Sequence, residues 1–320
     1  MDAIEIQGLE KVYSVGFWRK QPKCALKPLH LTVKDGEVFG FLGPNGAGKT
    51  TTLKLLMGLM YPTAGSARIL GMEINDPRMK AQIGFLPEQP YFYDYLTARE
   101  LLDYYGRLSG VSGKDLSGRI VAVLERVGLT SAADVQLRKF SKGMLQRAGI
   151  AQAILHDPKI VFFDEPMSGL DPMGRREVRD LMVQLKQEGK TVFFSTHILS
   201  DAEALCDRVA VLHQGELRGV GTVASLTANT QGKIEIVWQG SRIPASLQAL
   251  GATGQISGDT ARAEIQDSRL DTALDALRAE HCQLISVNPV RGTLEEYFLQ
   301  QMNPPAASSG KNLSQKGASA

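Results

Sequence analysis

One octapeptide limits the chain most: Gly43-Pro44-Asn45-Gly46-Ala47-Gly48-Lys49-Thr50, followed by Thr51. Its spacing is Gly, four residues, Gly-Lys-Thr. A phosphate needs several donors aimed inward at once. Glycines let backbone N–H groups converge without a side-chain clash, and a helix N-terminus adds the positive end of its dipole. Lys49 can reach the outer phosphates, and the Thr50 hydroxyl can ligate Mg²⁺. The flanks supply the required setting of strand, Gly-rich loop and helix. Residues 37–42 read as a buried strand through Val38, Phe39, Phe41 and Leu42. Beyond the loop, Leu53, Leu56, Met57 and Met60 recur at helical spacing.

A second stretch, Ile160-Val161-Phe162-Phe163-Asp164-Glu165, puts four apolar residues ahead of two carboxylates. It predicts a buried strand with an acidic C-terminal end, the end where open α/β sheets bind ligands. One carboxylate beside a phosphate can hold Mg²⁺ through water, and the next can polarise an attacking water. A β-rich run at 191–195 leads to Thr196-His197, which places His197 at the same sheet edge. His30, His156, His213 and His281 have no such placement.

Composition sets the outer bounds. A chain of 320 residues with 43% hydrophobic and 22% charged residues can bury a sizeable core and suggests one large domain with a small one. The formal net charge of +2 argues against a basic surface dedicated to nucleic acid. Cys24, Cys206 and Cys282 form neither a metal-ligand spacing nor a disulfide framework, which fits a reducing compartment. The first residues show no signal pattern, and no apolar run approaches bilayer length, so work at a membrane would go through a partner.

Other segments follow from local pattern. Ile4 and Ile6 alternate as in a strand; a basic, aromatic loop over 17–23 reads as a solvated hairpin insertion; strand character resumes at 29–33. Residues 62–65 read as a turn, 81–86 as a strand, and Thr97 with Glu100 as a capping box that opens a helix to about Leu108. Helices are expected over 117–127 and 145–155, and a strand over 209–212 before a turn at Gln214-Gly215. Residues 225–232 look like a linker. From 233 the order is strand, helix, two short strands, helix, strand, similar to a ferredoxin-like unit. Residues 294–300 make a closing helix, and 303–320 have little to bury and read as a disordered tail.

With these segments placed, the chain resembles the ATP-binding subunit of an ABC transporter over roughly residues 1–221. Gly43 to Thr51 matches Walker A, and Phe140-Ser141-Lys142-Gly143-Met144-Leu145-Gln146-Arg147 matches the ABC signature. Residues 160–165 match Walker B plus the catalytic glutamate, Ser168-Gly169-Leu170-Asp171 the D-loop, and His197 the switch histidine. The resemblance implies an α/β P-loop NTPase fold, with an ABC-type ATPase domain over 1–224 and a helical subdomain at about 90–157. A small α+β ferredoxin-like C-terminal domain over 233–302 would follow. It implies ATP and Mg²⁺ as ligands, with Thr50 and Asp164 on the metal, Glu165 and His197 catalytic, and Asp171 linking two sites. Tyr13 sits where the family stacks an aromatic on adenine; Phe17 or Trp18 could take that role. The Q-loop position falls on Glu88, with Gln89 adjacent, and either residue could serve.

The signature carries Lys142 and Met144 where Gly and Gln are usual, while Ser141 and Gly143 are kept. In the family these residues face the nucleotide of the other subunit, which implies a homodimer. The Ser-Lys-Gly-Met signature and Glu88 look similar to an exporter-type branch that often carries a small C-terminal domain. A separate polytopic permease and a cytoplasmic, membrane-peripheral location go with that resemblance. The alternative is a soluble ABC-type ATPase without a permease, acting on ribosomes, DNA or cofactor assembly.

Overall fold

A computed structural model describes residues 2–16, 19–227, 232–290 and 292–302. Phe17, Trp18 and the stretch 303–320 lie outside the described residues, as do the readings made for them. The chain divides into two compact units, Met1–Asn229 and Thr230–Ala320.

The first unit opens with a long hairpin, β1 (Asp2–Val15) and β2 (Gln21–Lys34). Then come β3 (Val38–Leu42), α1 (Lys49–Leu56), β4 (Ala64–Ile69), β5 (Met72–Glu73), α2 (Pro77–Lys80) and β6 (Ile83–Leu86). A helical portion follows: α3 (Ala98–Leu108), α4 (Gly113–Arg126) and α5 (Lys142–Ile154). The chain returns through β7 (Ile160–Asp164), α6 (Pro172–Gln187), β8 (Thr191–Thr196), α7 (Leu199–Leu205), β9 (Arg208–His213), β10 (Glu216–Thr222) and α8 (Val223–Leu226).

Two sheets result. One is antiparallel, in the order β2-β1-β4-β5. The other runs β10-β9-β3-β8-β7-β6, parallel except for the edge strand β10. Every residue of β3, β7 and β8 is buried. That explains the apolar runs 38–42, 160–163 and 192–194 within them, because a parallel sheet is covered on both faces. On one face Phe39, Phe41 and Phe162 pack around Phe193, with ring centroids 5.5–5.6 Å apart. This face joins the core shared with α1 and the antiparallel sheet. The opposite face, through Val161, Phe163 and Phe194, joins the core of α3, α4, α5 and α6.

The helices start where local chemistry dictates. The Thr97–Glu100 capping box is present at α3. Asp171 caps α6 through Gly174 N–H, with Pro172 in the first turn. α5 lies directly on β6: a Cβ at Gly84 would stand 2.0 Å from the Ala153 carbonyl oxygen, so only glycine admits that approach.

Several local readings change. Gln21 to Lys23 are not loop. They pair with Val15, Ser14 and Tyr13, because the hairpin ladder continues past the body of the sheet. The turn read over 62–65 ends sooner, since Ala64 and Gly65 already belong to β4. Ser225 and Leu226 form part of α8, capped by Thr222, rather than linker.

The second unit contains β11 (Lys233–Gln239), α9 (Ala245–Ala249), β12 (Thr253–Ser257), β13 (Thr260–Gln266), α10 (Leu270–Ala279), β14 (Gln283–Pro289) and α11 (Leu294–Met302). Its sheet is antiparallel, in the order β12-β13-β11-β14. Ile236 and Trp238 of β11 are fully buried against Leu247, Ala273 and Leu277.

Candidate functional site

The parallel strands bring their C-terminal ends to one edge of the sheet. β3 delivers the loop 43–48, β7 delivers Asp164 and Glu165, β8 delivers His197, and β6 leads to Glu88. A cavity of about 550 Å³ opens there, lined in part by Tyr13, Asn45, Lys49, Thr51, Glu88 and Glu165.

Within the loop, Gly48 adopts φ +109° as the residue before α1, and a Cβ on it would lie 2.5 Å from the Ala25 carbonyl oxygen. Glycine is therefore required both by conformation and by the nearness of β2. Pro44, Gly46 and Thr50 line the cavity as well. Ala47 is buried, and its N–H donates to the Pro44 carbonyl at 3.1 Å, closing the loop on itself. The Gly43 carbonyl faces inward and accepts from Lys49 Nζ at 2.7 Å.

Lys49 is the hub. It is 5% exposed, and its ammonium also reaches the Pro44 carbonyl at 3.3 Å and Glu165 Oε1 at 3.0 Å. The other carboxylate oxygen of Glu165, Oε2, lies 2.9 Å from His197 Nδ1. Glu165 is thus held from both sides, and its backbone adopts φ +49°, the left-handed region that a residue with a Cβ rarely takes. Asp164 stands behind it, 2% exposed, and accepts from the Ser195 hydroxyl. Sequence reasoning passed over Ser195, which follows the apolar run Val192-Phe193-Phe194 and precedes Thr196; its partner Asp164 comes from the neighbouring strand and is not adjacent in sequence.

Tyr13 lines the cavity from β1. Its hydroxyl donates to Met60 Sδ at 3.1 Å and lies 3.5 Å from Thr51 Oγ1, and Lys11 Nζ sits 5.5 Å from the ring centroid. Glu88 reaches the cavity lining, whereas Gln89 is exposed and does not line it.

The signature residues do not line this cavity. Ser141 caps α5, accepting from Met144 N–H at 3.2 Å. The Lys142 side chain lies over Gly169, where an added Cβ would meet Nζ at 2.1 Å. Ser141, Lys142 and Asp171 are exposed, and Gly143 and Met144 are half-buried.

Among the described residues, no group of three or more His, Cys, Asp or Glu side chains could cage a metal. Thr50 and Asp164 offer oxygen donors alone. That set suits Mg²⁺, a hard cation that keeps several waters and shares its remaining positions with phosphate. No described helix is long and apolar enough to cross a membrane.

Comparison with known proteins agrees with this geometry. The profile of the family described as "ABC transporter" matches residues 26–168. An uncharacterised ABC transporter ATP-binding protein of Synechocystis sp. is 45% identical over 94% of this chain and 85% of its own length. The linearmycin resistance ATP-binding protein of Bacillus subtilis is 32% identical over 92% of this chain and 97% of its own. Among solved structures, a dimeric post-hydrolysis state of an ATP-binding cassette bound to ADP and Pi superposes with a TM-score of 0.62. It is 28% identical over 68% of this chain and 98% of that one. The fold is that of the ABC ATPase cassettes, and the chain belongs to the ABC transporter family as an ATP-binding protein.

Proposed function

We propose that this ATPase powers a separate polytopic membrane permease as one of two identical ATP-binding subunits, in the direction of export. The observation that carries the hydrolytic part is the placement of Glu165, with Lys49 on one carboxylate oxygen and His197 on the other.

Two copies sandwich two ATP molecules. Lys49 and the amides of the loop 43–50 bind the phosphates, and the ring of Tyr13 receives the adenine. The exposed Ser141 and Gly143 of one copy face the γ-phosphate held by the other, with Lys142 and Met144 beside them. Glu165 takes hold of the attacking water, His197 contacts the γ-phosphate, and Asp171 links the two sites. Thr50 and Asp164 would hold Mg²⁺, which would neutralise charge on the phosphate oxygens. Positioning and charge stabilisation supply the rate, since phosphoryl transfer asks for little covalent chemistry from the protein. Glu88, at the cavity, and the segment 91–97 carry the motion to the permease. Gln89 stays outside that role.

The export direction is supported by the resistance function in the name of the Bacillus subtilis relative. The chain sits at the inner face of the membrane through its partner. We also read 233–302 as a separate ferredoxin-like domain, supported by its strand order.

The test is co-purification of tagged Glu165→Gln protein with ATP from detergent-solubilised native membranes. A polytopic membrane protein recovered in stoichiometric amount is the expected result. Recovery of soluble partners alone, or of a bare homodimer, would point to an ABC-type ATPase that works without a permease.

A further inference from the structure

β7 and β8 run side by side in parallel, and their register sets Asp164 opposite Ser195. Ser195 is fully buried. Its hydroxyl donates to Asp164 Oδ1 at 2.5 Å and accepts from the Glu165 backbone N–H at 3.0 Å. The same N–H lies 3.2 Å from the Ser195 carbonyl oxygen. One side chain therefore touches both members of the acidic pair.

Each contact restrains something different. At Asp164 it ties one carboxylate oxygen and so fixes the plane of the carboxylate. At Glu165 it anchors a backbone that would otherwise leave φ +49°, a conformation costing on the order of 1–3 kcal/mol for a residue with a Cβ. Two residues further on, His197 grips the Glu165 carboxylate. The end of β8 thus holds Glu165 at its backbone and at its tip. Packing does not ask for a hydroxyl here. Val192, Phe193 and Phe194 fill the preceding positions of the strand with apolar volume, and a buried hydroxyl is tolerated only with partners. Ser195 does not line the nucleotide cavity, so it does not act by touching substrate.

We infer that Ser195 is a positioning residue for ATP hydrolysis. It orients the Asp164 carboxylate toward the metal and holds the Glu165 backbone where its side chain can reach the attacking water. The inference rests on the roles proposed above for Asp164 and Glu165.

The experiment compares full-length wild type with Ser195→Ala, Ser195→Thr and Ser195→Val. Threonine and valine match in volume and differ by the hydroxyl. Three quantities are read: steady-state phosphate release, the Mg²⁺ concentration that half-saturates binding of a fluorescent ATP analogue, and the affinity for that analogue without Mg²⁺. Binding is measured in the Glu165→Gln background, so it does not depend on turnover. Groups that orient a metal ligand change metal affinity or activity about 10–100-fold when removed. Ser195→Ala and Ser195→Val should therefore lower kcat about tenfold or more and raise the half-saturating Mg²⁺ severalfold. KM for ATP and Mg²⁺-free affinity should stay within about twofold. Ser195→Thr should restore both kcat and the Mg²⁺ response. Equal loss in the threonine and valine variants, or wild-type kcat and Mg²⁺ response in Ser195→Ala, would overturn the inference. Ser195→Ala adds no volume, so it decides the matter if the larger variants do not fold. Full turnover in Glu165→Gln alone would instead remove the reading of the acidic pair, which separates the two failures.

Discussion

Lys49 Nζ and Glu165 Oε1 stand 3.0 Å apart with both side chains almost completely buried. Lys49 opens α1 directly after the loop that follows β3, and Glu165 directly follows β7, so the pair ties the start of that helix to the acid beyond the central strand. Lys49 Nζ also donates to the Gly43 and Pro44 carbonyls. These contacts hold the ammonium at the mouth of α1, where a phosphate can meet it.

Removing Lys49 should therefore show twice. Lys49→Met loses charge-assisted hydrogen bonds worth about 1.5–3 kcal/mol, so nucleotide affinity should fall by tenfold or more. It also leaves the Glu165 carboxylate buried without its cation, which should cost on the order of 3 kcal/mol of stability. The double variant Lys49→Met with Glu165→Gln should recover much of that stability and none of the affinity. Titration with a fluorescent nucleotide and denaturant unfolding measure the two effects. Unchanged affinity in Lys49→Met would end the phosphate role.

Tyr13 is fixed before any ligand arrives, with Met60 and Thr51 at its hydroxyl and Lys11 beside the ring. An aromatic stack is worth about 0.5–1.5 kcal/mol beyond buried area, so Tyr13→Ala should weaken ATP binding about two- to tenfold. Tyr13→Phe should weaken it less. No loss in Tyr13→Ala, with a loss in Phe17→Ala or Trp18→Ala, would move the adenine contact to Phe17 or Trp18.

Much of this arrangement was legible because its elements carry their own chemistry. Gly43 to Thr51 states a phosphate loop outright, and residues 38–42 and 160–163 are apolar runs because both faces of the sheet are covered. Thr97 and Glu100 mark a helix start reciprocally. Part of what escaped depended on pairing across the fold. Gln21 to Lys23 look like a polar loop until β1 supplies their partners. β10 follows a turn and lies at a sheet edge with none of its residues fully buried, so it carries no apolar run. α6 is rich in charge, yet Val178, Leu181, Met182 and Leu185 recur at helical spacing and would have revealed it. The sequence left Glu88 and Gln89 open, because only the fold shows that Glu88 lines the cavity and Gln89 does not.

His156 gives a pH prediction outside the site. Its Nε2–H donates to the Ile83 carbonyl at 2.9 Å. Burial pushes the imidazole below its ordinary pKa, assisted by Arg119 and Lys190 and opposed by the Ile83 hydrogen bond and Asp157. An unfolded histidine titrates near 6.5, so as pH falls through that value the unfolded chain takes up the proton before the folded one. The folded state loses stability over that range. His156→Gln keeps an N–H donor and removes the titration, so its unfolding midpoint should fall less steeply between about pH 7 and 5. Parallel slopes in the two proteins would contradict the assignment.

The most direct measurement is ATP turnover and ATP binding in Glu165→Gln beside the wild type. The amide keeps the shape of the carboxylate and its neighbours Lys49 and His197, but cannot draw a proton from water. A positioned base contributes about 10²–10⁴-fold, so phosphate release should fall at least about a hundredfold while ATP affinity is kept and an ATP-bound dimer accumulates. Turnover at the wild-type rate would contradict the account, because the carboxylate held between Lys49 and His197 would then not be the group that activates water.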